Sequence, residues 1–241
     1  MFTIFNDIFM SDILVFTATY NEKENINNLI NEIFNISKEV DMLVIDDNSP
    51  DETWKILKEI SEKNQKFFFI KRDKKLGLNT AHQMAYDYAI SHNYKKLITM
   101  DADFSHDPKE IPKIIDLLKK HDFVIGSRYS KGGKNSQPVM RYLLSFIGNK
   151  LIKYLLNINI NEFTTSYRGF NLQKLSQFSL KEIKGQGYSF FMETVVTLYR
   201  LGFDCKEFPI IFKDRKFGKS KIPRIEIIRT FKNLIYLIFK K

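Results

Sequence analysis

The chain has 241 residues, 44% of them hydrophobic and 14% aromatic, with a single cysteine, Cys205; this suffices for one domain with a substantial core and excludes a disulfide-stapled miniature. One cysteine cannot close an internal disulfide, which fits a reducing compartment. Thirty-eight basic against 28 acidic residues give a net charge of +10, the balance of a protein with an anionic partner such as nucleic acid, a phosphate-bearing substrate or a membrane surface.

The total hides an asymmetry. Residues 1–120 hold 16 Lys and Arg against 20 Asp and Glu, a net of −4, whereas residues 121–241 hold 22 against 8, a net of +14.

Residues 1–12 read as an N-terminal extension. They are apolar in places but carry Asp7 and Asp12 without a basic leader, unlike a secretory signal, and Met10 is a candidate start of translation. No window offers the roughly 20 apolar residues of a membrane span, so the body is expected in the cytoplasm. From Ile13 to about residue 127 short apolar runs alternate with amphipathic stretches, the signature of βα units on a mostly parallel sheet. Strands are predicted at Ile13–Thr17, Met42–Asp46, Phe67–Lys71, Lys96–Met100 and Phe123–Ser127, with helices between them at Glu24–Ser37, Thr53–Asn64, Thr80–His92 and Lys109–Lys120. Asp107 and Pro108 make a normal start for the fourth helix. Gly132-Gly133, Ser136 and Pro138 mark a loop. Beyond it the pattern predicts helices at Val139–Leu156 and Tyr188–Leu201, a strand at about Lys206–Phe212, a basic loop and a last helix from Ile222.

In an open α/β sheet, ligands collect beyond the carboxyl ends of the strands. Those ends deliver Tyr20-Asn21-Glu22, Asp46-Asp47-Asn48-Ser49, Asp101-Ala102-Asp103 and Ser127-Arg128-Tyr129. Asp101 and Asp103, one residue apart on an extended chain, project to one side and can hold a hard divalent cation with room left for phosphate oxygens; the competing reading is a turn or helix cap. Asp46 and Asp47 either bond a ribose or base or form an Asx turn, and Glu22 is equally readable as a first-turn acid. Arg128, Arg141 and the run Lys213–Lys221 suit phosphate recognition, with a solvated basic loop as the alternative. His82, His92, His106 and His121 show no metal-ligand spacing and read as helix-surface or loop residues. No dinucleotide fingerprint or Walker sequence is present.

Eight segments, in order, resemble the dolichol-phosphate (polyprenol-phosphate) mannose synthases, inverting family 2 glycosyltransferases of GT-A fold: TYNEKEN (19–25), IDDNSPDET (45–53), KKLGLNTAH (74–82), DADFSHDP (101–108), GSRY (126–129), TTSYRGF (164–170), GYSFFME (187–193) and FKDRKFGKSK (212–221). The likeness runs from about Ile13 to Ile228. It implies a GT-A catalytic domain over 13–221, with a donor half 13–127 and an acceptor half 128–221, and an amphipathic helix over 222–241. It implies that Ala18, Tyr20, Glu22, Ile45 and Asp47 contact the nucleotide, that Asp101 and Asp103 coordinate Mg²⁺ or Mn²⁺ on the donor diphosphate, and that Ala102 lines the ribose side. Arg128, Arg215 and Lys221 would bind phosphates, with Asp103, Arg128 and Arg215 carrying catalysis, and Arg141, Ser145 and Arg168 would serve the acceptor. The implied reaction moves a hexose, mannose from GDP-mannose, onto a polyprenyl monophosphate with inversion. A UDP-sugar transferase and a non-catalytic nucleic-acid-binding domain are the competing readings, and nucleic acid is not the expected partner. Ala18, Asn79 and Phe191 stand where the family has proline, glycine and glutamine, and Lys216 and Lys219 also depart from its usual residues. The expected location is the cytoplasmic face of a membrane, reached through Val139–Leu156 and the basic tail or through a small membrane-anchoring subunit.

Overall fold

The computed structural model describes residues 11–213 and 225–240. Seven strands form one sheet in the order β3-β2-β1-β4-β7-β5-β8. These are β1 (Ile13–Thr19), β2 (Asp41–Asp46), β3 (Phe67–Lys71), β4 (Lys96–Asp101), β5 (Phe123–Ser127), β7 (Arg168–Asn171) and β8 (Cys205–Pro209). Two short strands, β6 (Lys134–Asn135) and β9 (Ile211–Phe212), pair separately. The helices are α1 (Ile26–Ile36), α2 (Thr53–Ser61), α3 (Leu78–Ser91), α4 (Ile111–Lys120), α5 (Val139–Leu156), α6 (Tyr188–Arg200) and α7 (Ile225–Phe239). Among the described residues no helix is long and apolar enough to cross a membrane.

The alternation read from the sequence reproduces the donor side. β1 runs parallel to β2 and β4, and β2 to β3. Successive strand residues point to opposite faces, so Leu14, Phe16, Leu43 and Ile45 enter one core layer under α3 and α6, and Val15, Met42, Val44 and Ile98 enter the other with α1 and α4. In α1 the buried positions Ile26, Leu29, Ile30 and Ile33 follow helical spacing.

Two features depart from the expectation. β7 lies antiparallel between β4 and β5, so the residues from 128 onward contribute a strand to the middle of the sheet. Its four residues are all buried and show no alternation. Gly169 is required there: a Cβ would stand 2.6 Å from Ile114 Cγ2 on α4. The strand expected over Lys206–Phe212 is two strands, because Pro209 ends the pairing with β5 and has no N–H to continue it. Ile210 then donates to Ser127 O and accepts from Lys134 N–H, at 3.1 and 2.9 Å, turning the chain toward β6.

Candidate active site

The rim begins at the exits of β1 and β2. Asp46 is fully buried and accepts from Thr19 Oγ1 at 2.8 Å and from the Ser49 backbone at 2.9 Å; it builds the turn. Asp47 accepts from Leu76 N–H at 3.1 Å and Gly77 N–H at 2.9 Å, and lies 3.1 Å from Arg72 Nη1. It thus joins β2 to the loop before α3. Burial lowers the pKa of Arg72, against the opposing pull of Asp47, and its Nε and Nη2 have no hydrogen-bond partner among the described residues. Nothing in the sequence singled out Arg72. Glu22 accepts from Asn25 Nδ2 at 2.8 Å, and Lys75 Nζ stands 3.6 Å above the Tyr20 ring, placing a cation and an aromatic face together at this edge.

At the exit of β4, Asp103 accepts from Ser105 N–H at 3.0 Å. The turn is made by Phe104 at φ +62°, a region that bulky residues rarely occupy. Asp101 is about a third exposed, and its Oδ1 accepts from Ser166 Oγ at 2.5 Å. His106 is not a surface residue: it is 1% exposed. Its Nδ1 accepts from Asp101 N–H at 3.1 Å, so the proton sits on Nε2, which faces Thr165 Oγ1 at 3.2 Å. Burial lowers its pKa against the opposing carboxylates Asp101 and Asp103, and a neutral ring so engaged has no free nitrogen for a metal. Among the described residues no group of three or more His, Cys, Asp or Glu could hold a metal. The two hard oxygen donors of Asp101 and Asp103 therefore fit a divalent cation whose remaining ligands come from phosphate and water.

The segment 162–166 spans from these acids to Arg128. Glu162 receives the Arg128 guanidinium through Nε at 2.7 Å and Nη2 at 2.8 Å, and Nη2 also reaches Thr164 Oγ1 at 2.8 Å. Burial works to lower the pKa of Arg128, but the charge of Glu162 outweighs it and raises it; the partner effect holds Glu162 down. Arg128 is thus a countered cation, and Nη1 takes no part in these bonds. It lines a cleft of about 400 Å³ with Lys134, Asn135, Gln137 and Tyr142. Lys213, the first residue of the basic run, donates from its backbone to Ser105 O at 3.1 Å and from Nζ to Asp107 at 2.8 Å. The described end of that run therefore lies on the Asp101–Asp107 loop. Arg215 and Lys221 lie outside the described residues.

Several of the expected site residues are buried in the fold. Arg168 is 1% exposed and donates to the carbonyls of Thr165, Phe163 and Phe191 at 2.8, 3.0 and 2.9 Å, so its guanidinium faces the core and braces segment 162–166 from behind instead of meeting an acceptor. Burial lowers its pKa to about 9, opposed by Glu162. The side chains of Ile45 and Ala102 pack in the two core layers. His82 is also buried. Arg141 is exposed and Ser145 half-buried, one turn apart on α5 beside the cleft, and Ala18 is half-buried at the β1 exit.

The model of the family described as "Glycosyl transferase family 2" matches residues 14–178. The chain belongs to glycosyltransferase family 2. It is 32% identical over 212 residues, 87% of this chain and 80% of the relative, to a polyprenol monophosphomannose synthase of Mycolicibacterium smegmatis. It is 31% identical to an undecaprenyl-phosphate mannosyltransferase of Micrococcus luteus, over 87% of each chain. Among solved structures, glucosyl-3-phosphoglycerate synthase of Mycobacterium tuberculosis, in complex with Mn²⁺, UDP and phosphoglyceric acid, superposes with a TM-score of 0.63 at 16% identity, over 95% of this chain and 79% of that one. A mannosyltransferase of Pyrobaculum calidifontis in complex with GDP-Man and Mn²⁺ gives 0.61 at 14% identity, over 95% and 64%. The fold of this glycosyltransferase is thereby the GT-A fold, and the enzyme is a transferase.

Proposed function

We propose that this glycosyltransferase moves mannose from GDP-mannose to a polyprenyl monophosphate, inverting the anomeric carbon. The names of both curated relatives support the acceptor class and the sugar. The observation that carries the reading is the bridge of residues 162–166, which joins Asp101, the first of the paired acids, to Arg128 at the head of an open cleft.

A phosphate monoester has its second pKa near 6, so the attacking oxygen is already anionic at neutral pH and requires no general base. Both nitrogens of His106 are engaged, and the carboxylate of Glu162 is committed to Arg128, which agrees with a site that binds and orients. Asp101 and Asp103 would hold Mg²⁺ or Mn²⁺. When bound, the ion supplies charge that stabilises the departing diphosphate. Tyr20, Glu22 and Asp47 border the nucleotide end; Arg128, Arg141 and Ser145 border the acceptor end, and Arg215 and Lys221 are assigned to the phosphates.

The acceptor's lipid tail requires a bilayer. On α5, Val139, Met140, Leu144, Ile147 and Tyr154 are each more than half exposed, and α7 adds Ile228, Phe231 and Phe239. These exposed apolar side chains begin with Val139 in the cleft lining, which supports a peripheral membrane position.

Isothermal titration with GDP-mannose, UDP-glucose and UDP-N-acetylglucosamine in Mn²⁺ tests the donor. GDP-mannose is expected to bind and the UDP-sugars to bind at least about tenfold more weakly, a difference of 1.4 kcal/mol; preference for a UDP-sugar would overturn the donor assignment. Asp103→Asn keeps an acceptor for Ser105 N–H but removes the charge. It is expected to lower transfer about 10²-fold or more and to abolish the Mn²⁺ dependence of GDP binding.

A further inference from the structure

The helix α7 carries an amide among its apolar residues, and that amide reaches a buried charge. Asn233 Nδ2 donates to Glu193 Oε2 at 3.1 Å. Glu193, on α6, has no exposed surface, and the same oxygen accepts the N–H of Gly185 at 2.8 Å. Lys240 Nζ stands 3.8 Å from Oε1, and the Lys240 carbonyl accepts from Arg200 Nη1 at 2.6 Å. Leu234 and Leu237 complete the docking of α7 by burial. One oxygen of this carboxylate is therefore shared by a turn and by the C-terminal helix, while Oε1 has no hydrogen-bond partner among the described residues and faces only the Lys240 charge.

The turn leads to the site. Gly185 is confined, since a Cβ would stand 2.7 Å from Phe190 N and Ser189 O. Ser189 Oγ accepts from Gln186 N–H at 2.9 Å and donates to Gln186 O at 2.6 Å. Phe191, in the first turn of α6, accepts from Arg168 Nη2 at 2.9 Å, and the same nitrogen donates to Phe163 O at 3.0 Å, so the start of α6 is tied to the segment that holds Arg128. From the other side Gln83 on α3 donates to the carbonyls of Leu180 and Ile183 at 3.1 and 3.2 Å. A buried carboxylate that loses one set of partners is held less well by the other, because its lost hydration is offset only while all remain. Release of α7 therefore loosens the Gly185–Tyr188 turn, and loosening of the turn weakens α7.

We infer that Glu193, held by Asn233, is a positioning residue of the transfer: the docked C-terminal helix sets the Gly185–Tyr188 turn at the start of α6 and, through Phe191 and Arg168, the segment that holds Arg128, and so tunes use of the acceptor. The acceptor end of this inference rests on the reading of Arg128 given above.

Hydrogen exchange of residues 184–189 in the full chain tests it without substrate. Asn233→Leu keeps an apolar helix face but removes the amide; exchange in the turn is expected to rise about tenfold, as for one hydrogen bond to a charged group. Glu193→Gln still accepts from Gly185 N–H and offers a donor to Asn233 Oδ1, which has no hydrogen-bond partner among the described residues; it is expected to stay near wild type. Lys240→Ala, at the exposed end of the helix, is the milder variant should Asn233→Leu fold poorly, with a smaller rise in the same direction. In kinetics Asn233→Leu is expected to raise KM for polyprenyl phosphate severalfold with KM for GDP-mannose unchanged. Unchanged exchange in a folded Asn233→Leu or Lys240→Ala protein, or donor and acceptor KM rising together, would overturn the inference. Absence of transfer to polyprenyl phosphate by the wild type would instead remove the acceptor reading, and the exchange comparison would still decide whether Asn233 sets the turn.

Discussion

His82 sits edge-on to Phe16 and Phe191, with ring centroids 5.0 Å from each. Burial first, then the charges of Arg168 and Arg72, lowers its pKa to about 3. The unfolded chain takes up a proton near pH 6.5 that the folded chain refuses, so this residue's contribution is fully present above pH 6.5 and is lost as pH falls from there toward 3. His82→Leu is expected to flatten the dependence of unfolding free energy on pH between 6 and 4 by about 1.4 kcal/mol per pH unit, measured by urea titration at each pH; an unchanged slope would contradict the neutral buried ring. The same scale shows where residue identity was legible. Two acids straight after an apolar strand announced Asp101 and Asp103. Arg168 was misread because an arginine that braces three carbonyls and one that binds phosphate are identical letters. Arg72 and Glu162 carried no local signal, since each takes its meaning from a partner about 25 to 35 residues away.

Segment 162–166 and the strand β7 that follows it form the element that the periodicity could not reveal. The strand is four residues long, buried throughout and antiparallel among parallel neighbours, so it offers neither alternation nor a helical crossover to read. Its loop holds Arg128 against Glu162 with both buried. Removing one member leaves the other charge uncompensated, so Arg128→Met is expected to cost about 3–5 kcal/mol. The double variant Arg128→Met with Glu162→Gln is expected to recover most of that stability without recovering transfer. Denaturation midpoints beside transfer rates separate the two effects, and a double variant as unstable as the single one would show that packing, not charge, holds the pair.

Over the whole molecule, the two charge halves of the sequence meet inside one sheet, where β4 from the acidic half pairs with β7 from the basic one. The mostly parallel architecture was legible from chain order; the insertion of β7 between β4 and β5 was not, since it depends on which edges meet. Exposed apolar residues cluster on α5 and α7, the two helices whose faces the composition left ambiguous between core and bilayer. Phe231→Ser with Phe239→Ser alters only exposed positions of α7. It is expected to lower partition onto anionic lipid vesicles about tenfold while leaving GDP binding intact, read by vesicle sedimentation and calorimetry. Equal partition of variant and wild type would place the bilayer contact elsewhere.

The order β4-β7-β5 also dictates how the chain is made. β5 leaves the ribosome well before either neighbour exists, because both β7 and β8 follow it in sequence. Until then Phe123–Ser127 is an apolar strand with two open edges, and such edges invite pairing between chains. A nascent chain halted anywhere between residues 127 and 168 carries that hazard in full, so the loop that holds Arg128 and its short strand close the sheet as well as equip the site.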